Sequence, residues 1–439
     1  MDELLQYNKT DYSKGIYYTP TDFFKDIIKK IEIKINSHIK ILDFCCGTGN
    51  LFFALLENIK NVFDNNVIID IIKNTTFVDN DEESIKILKS KLKYWISYYI
   101  KQPFTINEDN FIICDVLINI DSIKNKFDLI ISNPPFINLK CKKEYNSQVK
   151  KLNYYTYTCN GIMDTYLLSI ERIIKLLNVG AKSIIISPTQ LFTNSTNKNL
   201  IKFMLENISI NNIFSFKENN KIFNITQNIS VFDITNDNIN NYINYSLCLY
   251  KDNIIYINKN NSISKDVFKI TDYKIVYLNE SDISFITHLN TLNKFKDYKH
   301  LFECKRGNID ITLDKKYIIK EKTNYPLIRG RNLKSLNTNE YIHKDTIIKK
   351  NININKKKLV CQQITNISSK NRLYFKIVDE NYVISNSCNY IIIKDEENIK
   401  YESLQLMLNG EILNRYFSLL SGNNHISIKE INELPILNY

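Results

Sequence analysis

Nothing in this sequence marks it for a membrane, an oxidising compartment or a metal. No apolar run approaches membrane-spanning length. The opening MDELLQYNKTDYSKG is polar and acidic where an export leader would be basic and then apolar. Nine cysteines are odd in number and scattered, without a CxxC or Cys/His spacing, so neither a disulfide framework nor a zinc site is expected. His288, His300, His343 and His425 also lack ligand spacing and read as structural or surface residues. There is no internal repeat and no PD-type nuclease pattern. A cytoplasmic, metal-free protein with no membrane partner is the expectation.

The 439 residues suffice for two or three domains, and two are expected. The net charge of +11 is unevenly spread. Residues 1–240 hold 28 Lys and Arg against 26 Asp and Glu, whereas residues 241–439 hold 30 against 21. A near-neutral first part followed by a basic second part fits a catalytic domain joined to one that grips a polyanion, although surplus lysines can also serve only solubility.

Apolar Ile39–Phe44 reads as a buried strand, CCGTGN as a tight turn, and the pattern from about Leu51 as a helix. Strand Thr75–Val78 and helix Asp81–Ile100 follow, the latter with Ile85, Leu88, Leu92, Trp95 and Ile96 on one face. Further strands are expected at Phe111–Cys114, Phe127–Ser132 and Ser183–Ser187, and a helix at Met163–Asn178. This alternation predicts an α/β fold with a doubly wound, mostly parallel sheet and ligands at the strands' carboxyl ends. Beyond Asn236–Asn241 short β-like runs take over, with a possible helix at Glu402–Leu420. The expected division is therefore 1–240 and 241–439.

The chemistry gathers at strand ends. Asp43 precedes Gly47 and Gly49, where glycines let the backbone approach a ligand and an acid can hold a cationic amine. Asp79 ends the second strand, where a carboxylate can accept from two ribose hydroxyls. Asp115 ends the third, placed to accept from an adenine amino group while Val116 packs on the ring. Each acid alone reads better as a solvated loop residue or helix cap, and the glycine turn alone equally well as a mere tight turn or a nicotinamide-type site, but three acids ending three successive strands are harder to dismiss. Asn133-Pro134-Pro135-Phe136 follows the fourth strand directly. An exocyclic purine amine is a poor nucleophile because its lone pair is delocalised into the ring. Hydrogen bonds from that amine to the Asn133 side-chain carbonyl and to a carbonyl of the rigid Pro-Pro segment would favour a tetrahedral nitrogen. Phe136 offers a face for base stacking.

In these motifs the sequence resembles the γ-type N6-adenine DNA methyltransferases of restriction–modification systems, particularly the TaqI-like group. KGIYYTP, DFCCGTG, FVDND, ICDVL, NPPF and KIFNITQNISVFDI stand in the order of that family's motifs, and YPLIRGRNLKSL resembles its target-recognition domain. The resemblance implies a Rossmann-like catalytic domain over 1–240, a β-rich DNA target-recognition domain over 241–439, and S-adenosylmethionine as cofactor. It assigns Thr19, Asp43, Cys45, Asp79, Asn80, Asp115 and Pro135 to the cofactor site, Asn133 and Pro134 to the target amine, Phe136 to stacking and Phe223 to packing at the base's edge. Phe136 stands where the family more often has Tyr, and the vicinal Cys45-Cys46 is a departure in which Cys45 reads as a small residue whose backbone meets the cofactor.

Arg329, Arg331 and Lys334 read as DNA contacts, while the Lys356–Lys358 run stays open between contact and solvated surface. Expected partners are double-stranded DNA and a cognate restriction endonuclease acting separately, with the chain itself a monomer. Two other readings remain: transfer to another planar nitrogen (cytosine N4, an RNA base or a protein glutamine), and a DNA-binding specificity protein with a vestigial catalytic domain.

Overall fold

The computed structural model describes residues 18–140, 142–159, 163–216, 222, 228–366, 369, 371–421 and 424–437. The chain forms two compact units, Met1–Tyr277 and Leu278–Tyr439.

The first unit is built on a nine-stranded sheet. Its strands are β1 (Ile41–Phe44), β2 (Thr75–Asp79), β3 (Phe111–Ile113), β4 (Phe127–Ser132), β5 (Leu177–Pro188), β6 (Ser209–Phe216), β7 (Ile229–Thr235), β8 (Tyr242–Lys251) and β9 (Ile254–Ser264). They lie in the order β3-β2-β1-β4-β5-β7-β6-β8-β9. Strands β3 to β5 pair parallel. β7 enters antiparallel between β5 and β6, β8 runs parallel to β6, and β9 returns antiparallel.

Helices connect and cover the strands: α1 (Thr21–Ile28), α2 (Asn50–Ile59), α3 (Asn65–Lys73), α4 (Glu82–Trp95), α5 (Lys143–Lys151), α6 (Thr165–Leu176) and α7 (Lys198–Asn207). Strand alternation fixes which side chains meet them. Leu129 and Ile131 of β4, with Ile184 and Ile186 of β5, join one apolar layer with Phe23, Phe52, Phe77 and Leu88. Ile130 and Ile185, equally buried, project to the other face. The chain leaves β1 in one direction toward β2 and β3 and resumes on its other side with β4. Between these two strands the loops part, which opens a crevice at their carboxyl ends.

The expected boundary at Asn240 is corrected to Tyr277/Leu278. β8 pairs with β6 over Asn212–Phe216, and β9 pairs along nearly all of β8, so both strands belong to the first sheet. Their polar sequence follows from position: β9 is an edge strand, mostly exposed, and needs no apolar alternation there.

The second unit holds a four-stranded antiparallel sheet of β10 (Phe302–Arg306), β11 (Lys358–Gln362), β12 (Phe375–Val378) and β13 (Cys388–Ile393), in the order β10-β13-β11-β12. The helix expected at Glu402–Leu420 is two, α8 (Tyr401–Asn409) and α9 (Glu411–Leu420). The break is at Gly410, whose extended backbone both ends one and begins the next. Among the described residues no helix is long and apolar enough to cross a membrane.

Candidate active site at the strand ends

The turn after β1 has a backbone that most side chains resist. Cys45, Gly47 and Gly49 take φ of 60°, 50° and 81°, the left-handed region that glycine enters without penalty. A Cβ on Gly49 would meet Leu88 Cδ1 at 2.3 Å, so glycine is needed there for helix α4 to pack on the turn. At Gly47 a Cβ would meet the Tyr18 ring at 3.0 Å. Tyr18, inside the KGIYYTP motif but not singled out by its chemistry, thus lies over the turn, its hydroxyl 3.0 Å from Ser84 Oγ.

Three carboxylates converge on this turn. Asp43 is fully buried, and neither of its oxygens has a hydrogen-bond partner among the described residues. Burial, and then the nearby Asp79 carboxylate, hold its carboxyl well above the ordinary range, with the Phe52 amide at the start of α2 offsetting part of the rise. Asp79 is half-buried and accepts from Gly47 N at 2.7 Å and Asp81 N at 3.0 Å. Burial raises its pKa and those two amides oppose the rise. Each of its oxygens keeps a second lone pair for a hydroxyl donor. Asp115 accepts from Leu117 N at 3.0 Å and receives the Tyr145 hydroxyl of α5 at 3.0 and 3.1 Å. Burial and this carboxylate hold the Tyr145 hydroxyl well above its ordinary pKa, so it stays a donor. A base amine directed at Asp115 would share the carboxylate with Tyr145. The Cys45 thiol reports the convergence: burial, then Asp79, Asp115 and Asp43 in that order, push its pKa well up. Such a thiol is a poor thiolate, which argues against redox chemistry at Cys45. Asn80 is exposed just past β2, and Val116 is buried beside Asp115.

Next to this acidic turn, across the crevice, stands the segment after β4. Ser132 Oγ donates to Phe44 O at 2.7 Å and ties β4 to β1 where both end. Asn133 Nδ2 donates to Thr19 Oγ1 at 3.0 Å, which turns the side-chain carbonyl the other way. Pro134 is buried, Pro135 and Phe136 half-buried. Phe136 packs against the apolar layer and meets Tyr166 edge-on, centroids 6.1 Å apart.

One helix holds the loops that bear these groups. At its first residue Thr165 Oγ1 donates to Pro135 O, while Ile137 N donates back to that hydroxyl at 3.0 Å and Thr165 N donates to Ile137 O at 3.0 Å. Further along α6, the fully buried Arg172 donates to Val116 O, to Ile120 O at 2.9 Å and to Asn119 O at 3.3 Å, which clamps the loop after Asp115. Glu171, also buried, accepts from the backbone amides of Thr156, Tyr157 and Thr158 at 2.6, 3.1 and 3.1 Å. Tyr145, Thr165, Glu171 and Arg172 carry no motif signal. Only the fold brings them to the site.

Thr19, Asp43, Cys45, Gly47, Gly49, Asp79, Asp115, Val116 and Asn133–Phe136 are therefore gathered around one crevice. Phe223 and Lys14–Tyr17 lie outside the described residues. Arg329, Arg331 and Lys334 belong to the second unit, in a segment held to the stretch just before β13 by Ser385 N to Ile328 O at 2.9 Å and Gly330 N to Ser387 Oγ at 3.0 Å. Arg329 is half-buried on Glu340 at 2.7 Å, and Arg331 reaches the same carboxylate at 3.2 Å with most of its length in solvent. Lys334 is exposed, its Nζ over the Tyr374 ring at 5.7 Å. The lysine run divides: Lys356 pairs with Glu396 at 3.0 Å, whereas Lys358 is buried, donates to Lys356 O, and has its pKa pulled down to about 8 by burial.

Comparison with known proteins bears on the first unit. Residues 57–223 match the Eco57I restriction-modification methylase family. The type II methyltransferase M.HincII of Haemophilus influenzae is 30% identical over 120 residues, 27% of this chain and 22% of that relative. A release factor glutamine methyltransferase of Borreliella burgdorferi is 27% identical over 121 residues, 28% of this chain and 34% of its own. The chain thus spans about a fifth to a third of these relatives' lengths. In fold, the type IIL restriction–modification enzyme MmeI, solved in complex with DNA, superposes with a TM-score of 0.59 at 12% identity, covering 91% of this chain and 62% of its own. The fold is a Rossmann-like α/β domain followed by a β-rich domain, as the motif order led us to expect.

Proposed function

We propose that this protein is a site-specific DNA adenine methyltransferase of a restriction–modification system, which uses S-adenosylmethionine to methylate the N6 of an adenine turned out of the duplex. The observation that carries the reading is the placement of Asn133–Phe136 beside the acidic turn at the carboxyl ends of β1 and β4, with the Asn133 NH2 donating to Thr19. S-adenosylmethionine carries an ammonium and a sulfonium, and when bound supplies an activated methyl group. An acidic crevice suits such a cation and disfavours a dinucleotide with its anionic pyrophosphate. The buried, unpartnered Asp43 carboxylate fits the ammonium, and the second lone pairs of Asp79 fit ribose hydroxyls.

In this reading Asn133 Oδ1 and the Pro134 carbonyl accept hydrogen bonds from the two N–H groups of the target amine, which draws its nitrogen toward tetrahedral geometry. Phe136 stacks on the flipped base, with Phe223 packing at its edge, and offsets part of a flipping cost of a few kcal/mol. The second unit takes the role of target reader, with Arg331 and Lys334 meeting the phosphates and base edges. A cognate endonuclease would act separately, and the chain would work as a cytoplasmic monomer.

A second reading is favoured by the glutamine methyltransferase relative: the same segment holds a protein amide in place of a base. One experiment tests both. The purified protein is given methyl-labelled S-adenosylmethionine with duplex DNA, RNA or a release factor, and the products are digested and resolved by mass spectrometry. N6-methyladenine in DNA is the expected product. N4-methylcytosine, methylated RNA or methylglutamine would replace this reading, and no product from any substrate would leave a DNA-binding protein with a vestigial site.

A further inference from the structure

A lysine has been drawn into the core behind the glycine turn. Lys91 lies on α4 with 4% of its surface exposed, and its Nζ is 3.1 Å from Asn50 Oδ1 and 3.4 Å from both the carbonyl and the hydroxyl oxygen of Thr48. Burying an ammonium is costly, and here it pulls the pKa down to about 8. A methionine would fill a similar space without that cost, so apolar packing does not account for the lysine. Its polar contacts do.

An ammonium only donates, so Lys91 obliges Asn50 to turn its carbonyl inward. The other end of that amide, Asn50 Nδ2, donates to Thr19 O at 3.0 Å. Thr19 is 2% exposed and is followed by Pro20, which stiffens the backbone there. Its side-chain hydroxyl is the group that takes Asn133 Nδ2 at 3.0 Å. Four residues from four separate parts of the chain thus form one run of hydrogen bonds, from helix α4 to the residue that faces the target amine.

We propose that Lys91 and Asn50 are positioning residues that act through Thr19 to set where the Asn133 amide sits. The proposal rests on the adenine-methylating reading above for its effect on rate. Neither residue touches substrate or cofactor in this account. Moving Thr19 by a few tenths of an ångström moves a group to which the Asn133 NH2 is hydrogen-bonded, and positioning of this kind acts on the chemical step more than on binding.

The test uses the full chain and measures three quantities in parallel: cofactor affinity, DNA affinity, and the single-turnover rate of methyl transfer to an adenine-containing duplex. Lys91→Met, Asn50→Ala and Thr19→Val should each lower the rate roughly tenfold, the worth of one well-placed hydrogen bond, while in the Lys91 and Asn50 variants, whose residues lie outside the cofactor site, both affinities stay within about threefold. The double variant Asn50→Ala/Thr19→Val should be no slower than the slower single variant, because both changes cut the same run. Unchanged rates, fully additive losses, or a loss carried wholly by cofactor affinity would overturn the relay, the last because Lys91 would then only brace the glycine turn. Should Lys91→Met not fold, the Asn50 and Thr19 variants decide alone. If the wild type transfers no methyl group to adenine, the functional reading fails first. Crystal structures of wild type and Asn50→Ala then judge the relay by itself: a displaced Asn133 side chain supports it, an unmoved one ends it.

Discussion

At the scale of single residues, the site sets stability against function. Asp43 is a buried carboxyl whose pKa stands well above its unfolded value. Its protonated form therefore stabilises the unliganded chain fully below the unfolded pKa, and that contribution is lost as pH rises through the folded pKa. Asp43→Asn should raise the unfolding temperature of the unliganded protein at neutral pH, with the two melting curves converging in acid. The same change should weaken S-adenosylmethionine binding roughly 10- to 100-fold by removing the charge proposed to meet its ammonium. A variant less heat-stable than wild type at pH 7.5 would mean that the carboxylate is satisfied in the fold. Asn133 and Phe136 should separate in another way. Asn133→Ala should bind cofactor and DNA nearly as wild type yet lose most turnover, while Phe136→Ala should lose about 1–3 kcal/mol of base stacking and so both flipping and rate. Single-turnover kinetics, with 2-aminopurine fluorescence at the target position, read both; an Asn133→Ala enzyme with near wild-type rate refutes the amine-activation mechanism. These residues were legible because their signal is local. NPPF and the three acids sit at strand ends that apolar runs define. Tyr145, Thr165 and Arg172 were not, because their partners lie 28 to 56 positions away and nothing in the intervening sequence couples them.

At the scale of elements, the turn after β1 and helix α4 depend on each other. Leu88 of α4 fills the space that any side chain at position 49 would need. Gly49→Ala should cost about 2 kcal/mol, through its left-handed backbone and the repacking of Leu88, and thermal unfolding of the variant checks this. An unchanged melting temperature would show that α4 yields easily. Element reading from sequence did best where burial is two-sided. β4 lies at Phe127–Ser132 as the apolar run indicated, because a strand covered on both faces has no polar alternation to blur it. At β8 and β9 it anticipated only short β-like runs of a second domain, because Asn and Lys along an exposed edge break up the apolar pattern of two long strands of the first sheet. The Glu402–Leu420 helix was read whole because periodicity persists across Gly410, and only the backbone shows the break.

At the scale of the whole molecule, the corrected division changes where a shortened chain should work. Ending at Tyr277 keeps the nine-stranded sheet intact, whereas ending at Asn240 removes β8 and β9 and uncovers β6. The first should fold cooperatively and the second should aggregate or melt well below it, as circular dichroism on heating would show; equal behaviour would return the boundary to Asn240. Residues 278–439 still carry 25 Lys and Arg against 18 Asp and Glu, so the basic surplus persists on the new count. In the full chain, Arg331→Ala and Lys334→Ala should each reduce the slope of log DNA affinity against log salt by about one if the residue meets a phosphate. A slope that does not change assigns that residue to base reading or to solvent.

The width of the first sheet has one more consequence. Neighbouring strands rotate by about 20–25°, so eight steps from β3 to β9 turn one edge roughly 160–200° against the other. Helix α1 spans that distance. Ile255 of β9, six strands from β1 in the ladder, donates its amide to Asp26 of α1 at 2.8 Å, and Tyr250 of β8 meets Phe23 of the same helix edge-on at 5.1 Å. Helix α1 begins two residues after Thr19, the support of Asn133. A hairpin remote from the crevice by strand count is thus one short helix away from it, and a change at the far margin of the sheet has a shorter way round to Asn133.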